Sequence, residues 1–341
     1  MFKEILKKFW FVALLAILAV GFIGYFAWQE KQNEPVQIAT KQVDGNYLIY
    51  SGDQEISLTA DELYETLVDD YVVSTVYSAL ERYTIDALYE TTGEMNDVAS
   101  QYSQYLLMSY DSETLDKELK AMGFGGVDDL SNYYIYIQKR SLFIQDYLKE
   151  HQEDAKAYIE ANNSKVISHI LVSVEDVGST TKDDDTTILV ANATEEEQAK
   201  LDNVLSLLET TDFTEVAYEY SDDTGSASNY GSLGYYDTSV AANYVSEFSA
   251  VANTLKEGEV SEATLSEYGW HIIKCDASTF ETLVENDYFL SQAESIYANE
   301  IVLAVFDKAN ELGIEIKDEN IKTMIQEILD TMTETESEAG E

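Results

Sequence analysis

Two short apolar runs constrain this chain more than any other feature. "VISHILVSV", Val166–Val174, and "YGWHIIKC", Tyr268–Cys275, are rich in β-branched residues, and each holds one of the chain's three histidines. Runs of this length and composition read as buried strands. A histidine inside such a strand is either hydrogen-bonded core filler or one half of a site. The pattern around the two runs has to separate those readings.

That pattern is mixed. From Ser164 to Asp276 the chain reads strand (Lys165 to Val174), acidic loop ("EDVGSTTKDDDTTILVANAT"), helix, helix, glycine-broken turn, helix and strand. Thr194 is placed to cap the first helix, whose face carries Leu201, Val204, Leu205 and Leu208. "DFTEVAYEYS" is a shorter helix and "NYGSLGYYD" a turn into a short strand. "EFSAVANTLKEGEVSEATLSEYGWHIIKC" is a helix closed by Gly258, a short strand, a turn and the last strand. On either side the apolar period is helical. It begins after a capping box of Thr59 and Glu62, with Leu63, Leu67, Val72, Val76 and Leu80 in phase, and breaks near Gly93 and at Gly123, Gly125 and Gly126. It resumes from Phe280 to Ile328, with Leu303, Val305 and Phe306 as candidate core. "GNYLIYSG" alternates like a short strand, and "TETESEAGE" reads as a disordered acidic tail. The fold class is α+β.

The N-terminal run "FWFVALLAILAVGFIGYFAW", Phe9–Trp28, is 20 uncharged residues, enough to span a bilayer as a helix, with aromatics at both ends. Lys3, Lys7 and Lys8 precede it, which keeps the N-terminus cytoplasmic and exports the rest. Bulky Tyr25 and Trp28 stand where a cleavage site wants small residues, so an uncleaved anchor is favoured over a signal peptide. A short linker with the only proline, Pro35, follows. The net charge is −45, from 65 acidic against 20 basic residues. Such a field repels nucleic acid and argues against DNA or RNA binding. The single cysteine, Cys275, rules out an internal disulfide framework and reads as a buried structural thiol. "KDDDTT" lacks the spacing and glycine of an EF-hand and reads as a solvated loop. No metal and no cofactor are expected.

In order and near spacing, "SHILV", "DFTEVAYEYSDD", "GSLGYY", "EF…A…LKEGEVSEAT" and "YGWHIIK" resemble the parvulin-type peptidyl-prolyl cis/trans isomerase domain over residues 164 to 278. The resemblance implies an antiparallel sheet of about four strands wrapped by helices. It implies that His169 and His271 face each other on adjacent central strands beside the substrate cleft. Asp223 aligns with a position that holds cysteine or aspartate, and Phe248 with the aromatic floor of the proline pocket. The expected catalytic set is therefore His169, Asp223 and His271, and the expected substrate-binding set Tyr244, Phe248 and Tyr268. There are departures. Tyr244 replaces the usual methionine or leucine, "YGSLG" keeps Gly231 and Gly234 but not the acid of the usual turn, and Tyr268 and Trp270 flank the second histidine with bulk. No basic residue lies between Val166 and Thr181 to hold a phosphate, and residues 161–278 carry five lysines and no arginine against 22 acids. A phosphoserine-proline reader is excluded on that ground.

The wider layout resembles the PrsA-like extracellular foldases and their SurA-like relatives, in which the parvulin domain is inserted between segments of an α-helical chaperone domain. The expected organisation is a cytoplasmic stub and transmembrane anchor (1–30), an N-terminal helical domain (31–160), the parvulin domain (161–278), a C-terminal helical segment packing with the N-terminal domain (279–330) and the acidic tail (331–341). The function this implies is a membrane-anchored, extracytoplasmic isomerase and foldase. Its partners would be unfolded or partly folded exported polypeptides with X-Pro bonds, and a homodimer is left open. The alternative is a holdase-type chaperone whose parvulin fold is a weakly active or inactive platform, with tyrosine-rich helices forming a cradle. A third class, an acidic surface or adhesion protein, explains neither the ordered parvulin pieces nor the flanking helices.

Overall fold

The computed structural model describes residues 40–43, 46–51, 54–59, 73–181 and 187–339. The candidate anchor with its lysines, Pro35, the stretch 60–72 with Glu62, Leu63, Leu67 and Val72, and most of "KDDDTT" lie outside the described residues. Among the described residues no helix is long and apolar enough to cross a membrane. The chain divides into two compact units, Met1–Phe143 with Tyr297–Glu341, and Ile144–Ile296.

The first unit holds a three-stranded antiparallel meander, β1 (Thr40–Val43), β2 (Asn46–Ser51) and β3 (Gln54–Thr59), and several helices. Thr59 is the last residue of β3, and the helix it is expected to cap lies outside the described residues. Helices Val73–Leu88, Gly93–Ser109 and Ser112–Ala121 precede one that starts at Leu130. Thr92 and Asp111 supply the caps, accepting from Met95 N at 3.1 Å and Thr114 N at 2.9 Å. Val98, Tyr102, Leu106, Leu115, Leu119 and Tyr134 form the core. Helix Ala298–Glu311 buries Val305 and sets Phe306 5.8 Å from the ring of Tyr77, while Leu303 is only half-buried. The last helix, Glu319–Ala339, runs into the acidic stretch read from the sequence as a disordered tail.

The second unit is built on a four-stranded antiparallel sheet. Its strands are β4 (Lys165–Ser173), β7 (Ser232–Tyr236), β8 (Thr264–Ser266) and β9 (Gly269–Ala277), in the order β7-β4-β9-β8. The two histidine-bearing runs are thus the central, adjacent strands β4 and β9. Both are covered on two faces, which is why they read as near-continuous apolar runs. On one face Ile170, Val172 and Ile272 pack on helices Glu195–Leu208 and Phe213–Tyr220 through Leu201, Val204, Phe213 and Val216. On the other, Ile167, Ile273 and Cys275 pack on helix Ser246–Ala252 through Phe248 and Ala252. Thr194 closes a capping box with Glu197, as its position in the sequence suggests.

Two sequence expectations need correction. The acidic loop after β4 contains a hairpin, β5 (Val177–Thr181) paired with β6 (Thr187–Ala191), because its apolar island "TILVA" has strand composition and finds a partner. Helix Ser246–Ala252 ends well before Gly258. Its last carbonyls are taken by Lys165, whose Nζ donates to Ala252 O (3.1 Å), Asn253 O (3.2 Å) and Leu255 O (2.7 Å). Gly258, at φ +79°, serves a later turn. The compact unit also takes in helices Phe280–Leu283 and Asp287–Ile296, with Phe289 fully buried 6.2 Å from Tyr235.

Candidate active site

The register of β4 and β9 builds the site. His169 lies opposite Ile273 and Leu171 opposite His271. The two histidines are therefore a diagonal pair on one face, within reach of aromatic side chains. Their rings stack at 5.6 Å and 19°, with Nδ1 atoms 3.4 Å apart, and both residues are buried. Gly231 backs His169, whose N–H donates to Gly231 O at 2.8 Å. Gly231 takes φ +80°, and a Cβ there would come within 2.6 Å of His169 O, so only glycine fits.

Each imidazole is held at its outer nitrogen. His169 Nε2 is 2.7 Å from Asp223 Oδ2 and 3.1 Å from Ser226 Oγ. Asp223 caps the turn Thr224–Ala227, accepting from Gly225 N (3.1 Å) and Ser226 Oγ (2.5 Å). His271 Nε2 is 2.7 Å from the buried Ser266 Oγ, which also accepts from Tyr268 N at 3.1 Å. Counting donors sets the tautomers. An ionised carboxylate only accepts, so His169 carries its proton on Nε2 and presents a bare Nδ1. His271 then donates from Nδ1 and accepts at Nε2 from the Ser266 hydroxyl. The chain runs one way: Ser266 to His271 to His169 to Asp223.

The electrostatics agree with neutral rings. Burial lowers the pKa of His169 despite the hydrogen bond and charge of Asp223, and burial followed by repulsion from His169 lowers that of His271 to about 4. Burial pushes Asp223 up, but hydrogen bonds from Ser226 and His169 outweigh it and keep the group ionised at neutral pH.

An aromatic stack adjoins the pair. Phe248 is edge-on to both imidazoles, 5.8 Å from His169 and 5.4 Å from His271. Tyr244 lies flat on Phe248 at 4.8 Å and 15°, and Tyr236 is 5.8 Å from Tyr244. Phe248 is only 1% exposed, so Tyr244 is the half-buried outer face of the stack. The structure thus brings His169, Asp223, His271, Tyr244 and Phe248 into one cluster. Tyr268 stands apart: the residue is 58% exposed, and its link to the cluster is its backbone N–H on Ser266. Ser226 and Ser266 were missed. A hydroxyl three residues after Asp223 in a capped turn was a readable sign of the first. The second depends on strand pairing, which only the fold reveals.

No side chain here is a ready nucleophile. The polar atoms of the imidazoles are engaged with one another, and Cys275 is buried, its thiol pKa raised chiefly by burial. Among the described residues no group of three His, Cys, Asp or Glu side chains is gathered to hold a metal ion. An apolar, aromatic-lined cluster with an internally satisfied polar network suits a reaction without covalent chemistry.

A family model described as Rotamase, PPIC-type PPIase domain, matches residues 169–277. The chain carries a parvulin (PPIC-type) peptidyl-prolyl isomerase domain. Over most of its length it is homologous to foldase protein PrsA. The relative from Geobacillus kaustophilus is 27% identical over 282 residues, 80% of this chain and 87% of its own. That from Oceanobacillus iheyensis is 30% identical over 222 residues, 64% of either chain, and that from Geobacillus sp. strain WCH70 is 25% identical over 327 residues, 94% of this chain and all of its own. The crystal structure of PrsA from Bacillus subtilis aligns at a TM-score of 0.47 and 24% identity, covering 81% of this chain and 96% of that one.

Proposed function

We propose that this chain is a membrane-anchored, extracytoplasmic peptidyl-prolyl isomerase that assists the folding of exported proteins. The observation that carries the reading is the stack of Tyr244 on Phe248 against two neutral, hydrogen-bonded imidazoles. Rotation about an X-Pro bond faces a barrier of ~18–20 kcal/mol, because resonance keeps the amide planar. A catalyst need only bind the twisted bond better than either planar form. In the proposed complex the proline ring rests on Tyr244, backed by Phe248, in a site that excludes the water stabilising the planar resonance form. His169 and His271 scaffold the cleft, and Asp223 fixes their tautomers. Solvent-exposed Tyr268 is proposed to touch the flanking peptide.

Residues 9–28 are the proposed anchor, with the N-terminus cytoplasmic, and unfolded exported chains are the proposed clients; the relatives' printed name, foldase, supports that assignment. The test is turnover of unphosphorylated X-Pro peptides by the full-length protein, followed by NMR exchange, with Tyr244→Ala, Phe248→Leu and His169→Ala variants. A drop of tenfold or more in kcat/KM for Tyr244→Ala with a retained fold supports the reading. Undiminished turnover in all three sinks it. The near-complete burial of Phe248 favours a second reading, a holdase with an inactive parvulin platform. Zero turnover in the wild type, together with suppressed aggregation of an unfolded client, would establish that one instead.

A further inference from the structure

We propose that the site at Tyr244 and Phe248 selects X-Pro bonds flanked by a basic residue, and that Asp223 and Glu247 set the preference. The proposal rests on the isomerase reading above and adds its substrate class. Among the described residues, the fixed charges that act on the imidazoles are negative. On one side is Asp223, with 30% of its side chain exposed, against His169. On the other is Glu247, half-exposed in the first turn of the helix that carries Phe248, near enough for its charge to act on His271. The charge of Asp223 is likewise felt at His271 and at Tyr244.

Among the described residues, the lysines of this domain are placed elsewhere; Lys182 lies outside them. Lys200 pairs with Asp222, and Lys274 with Asp276 at 2.8 Å. Lys165 is buried with its ammonium on three backbone carbonyls. With Lys156 and Lys256 it lines a separate cavity of about 430 Å³. Lys165 is four residues before His169 on β4, about 13 Å along the strand at about 3.3 Å per residue. These lysines therefore stand at the far end of the sheet from the imidazoles, in a cavity that Glu160 also lines, with Lys156 paired to Glu281. Residues 161–278 as a whole carry five lysines against 22 acids, a balance of −17. Low-dielectric walls focus such a field on a bound peptide, raising the local concentration of a cationic one and opposing an anionic one.

Exchanging a lysine for a glutamate beside the proline reverses the sign of both interactions. At a separation of about 8 Å and with partial solvent screening, this amounts to a tenfold or larger ratio in kcat/KM. In 1 M salt the Debye length is about 3 Å, and the ratio should fall to within about threefold. The experiment uses the full-length protein with matched tetrapeptides, Ala-Lys-Pro-Phe and Ala-Glu-Pro-Phe, at low and high salt, and repeats them with E247Q. The expected results are a Lys-over-Glu ratio of at least tenfold at low salt, its collapse in salt, and a roughly threefold smaller ratio in E247Q. Equal rates for the two peptides, or a ratio that salt leaves unchanged, overturn the proposal. The same peptides are titrated against the ring resonances of His169 and His271. If neither peptide turns over but the lysine peptide shifts those resonances at tenfold lower concentration, the isomerase reading falls and the preference stands. If neither peptide turns over and neither shifts them preferentially, both fall.

Discussion

Replacing Ser266 by alanine tests the direction of the hydrogen-bond chain that orders the site. Ser266 has no exposed surface; its hydroxyl lies 2.7 Å from His271 Nε2 and 3.4 Å from Gly269 O, accepts from Tyr268 N at 3.1 Å, and by the donor count gives its proton to the nearer imidazole. The alanine fills nearly the same space but leaves a buried imidazole nitrogen without a donor and a partly buried amide without an acceptor. A buried polar group left unsatisfied costs about 1–3 kcal/mol, and a loss near 2 kcal/mol is expected here because the amide is near the surface. With a urea slope of about 1–3 kcal/mol per molar, the unfolding midpoint should fall by about 1 M. Trp270 is a built-in probe of this unit, since it neighbours His271 on β9 and packs on the core of the same sheet. Imidazole nitrogen spectra then supply the readout that simple destabilisation would not move. In the wild type the His271 proton sits on Nδ1 and that of His169 on Nε2; in Ser266→Ala the His271 proton is free to move to Nε2, and its link to His169 is lost. A wild-type His271 protonated on Nε2, or a variant with unchanged spectra and an unchanged midpoint, would refute the donor accounting.

Three further predictions follow from the same geometry. His271 is lowered from 6.5 to about 4 in the folded chain, so the unfolded chain binds the extra proton first. Stability from this group is complete above pH 6.5 and is lost as pH falls towards 4, by about 3 kcal/mol, measurable as urea midpoints across that range. Gly231→Ala forces a side chain at φ +80° within 2.6 Å of His169 O; a loss of at least about 2 kcal/mol and a shifted His169 resonance are expected, and a stability equal to wild type would contradict the packing. Thr194→Ala removes the cap of helix Glu195–Leu208, and thermal unfolding should show a loss of about 1 kcal/mol with little change at the imidazoles.

Much of this protein was legible in one dimension. The β-branched runs around His169 and His271, the cap at Thr194 and the helical period on either side follow from local chemistry, because propensity, capping and amphipathic spacing act within a few residues. The parvulin pieces also aligned five of the six candidate site residues that the fold gathers or approaches. What local chemistry could not decide was the register of β4 on β9. A slip of one residue would send one histidine to the opposite face and abolish the pair. That register is chosen by cores made of residues a hundred positions apart, Ile167 with Cys275 on one face and Ile170 with Ile272 on the other. The same non-local packing brings Asp223 and Ser226 onto His169, while local pairing of β8 on β9 and of β5 on β6 places Ser266 and forms the hairpin. Composition and spacing thus specified which elements form, and contacts between distant strands decided which side chains meet.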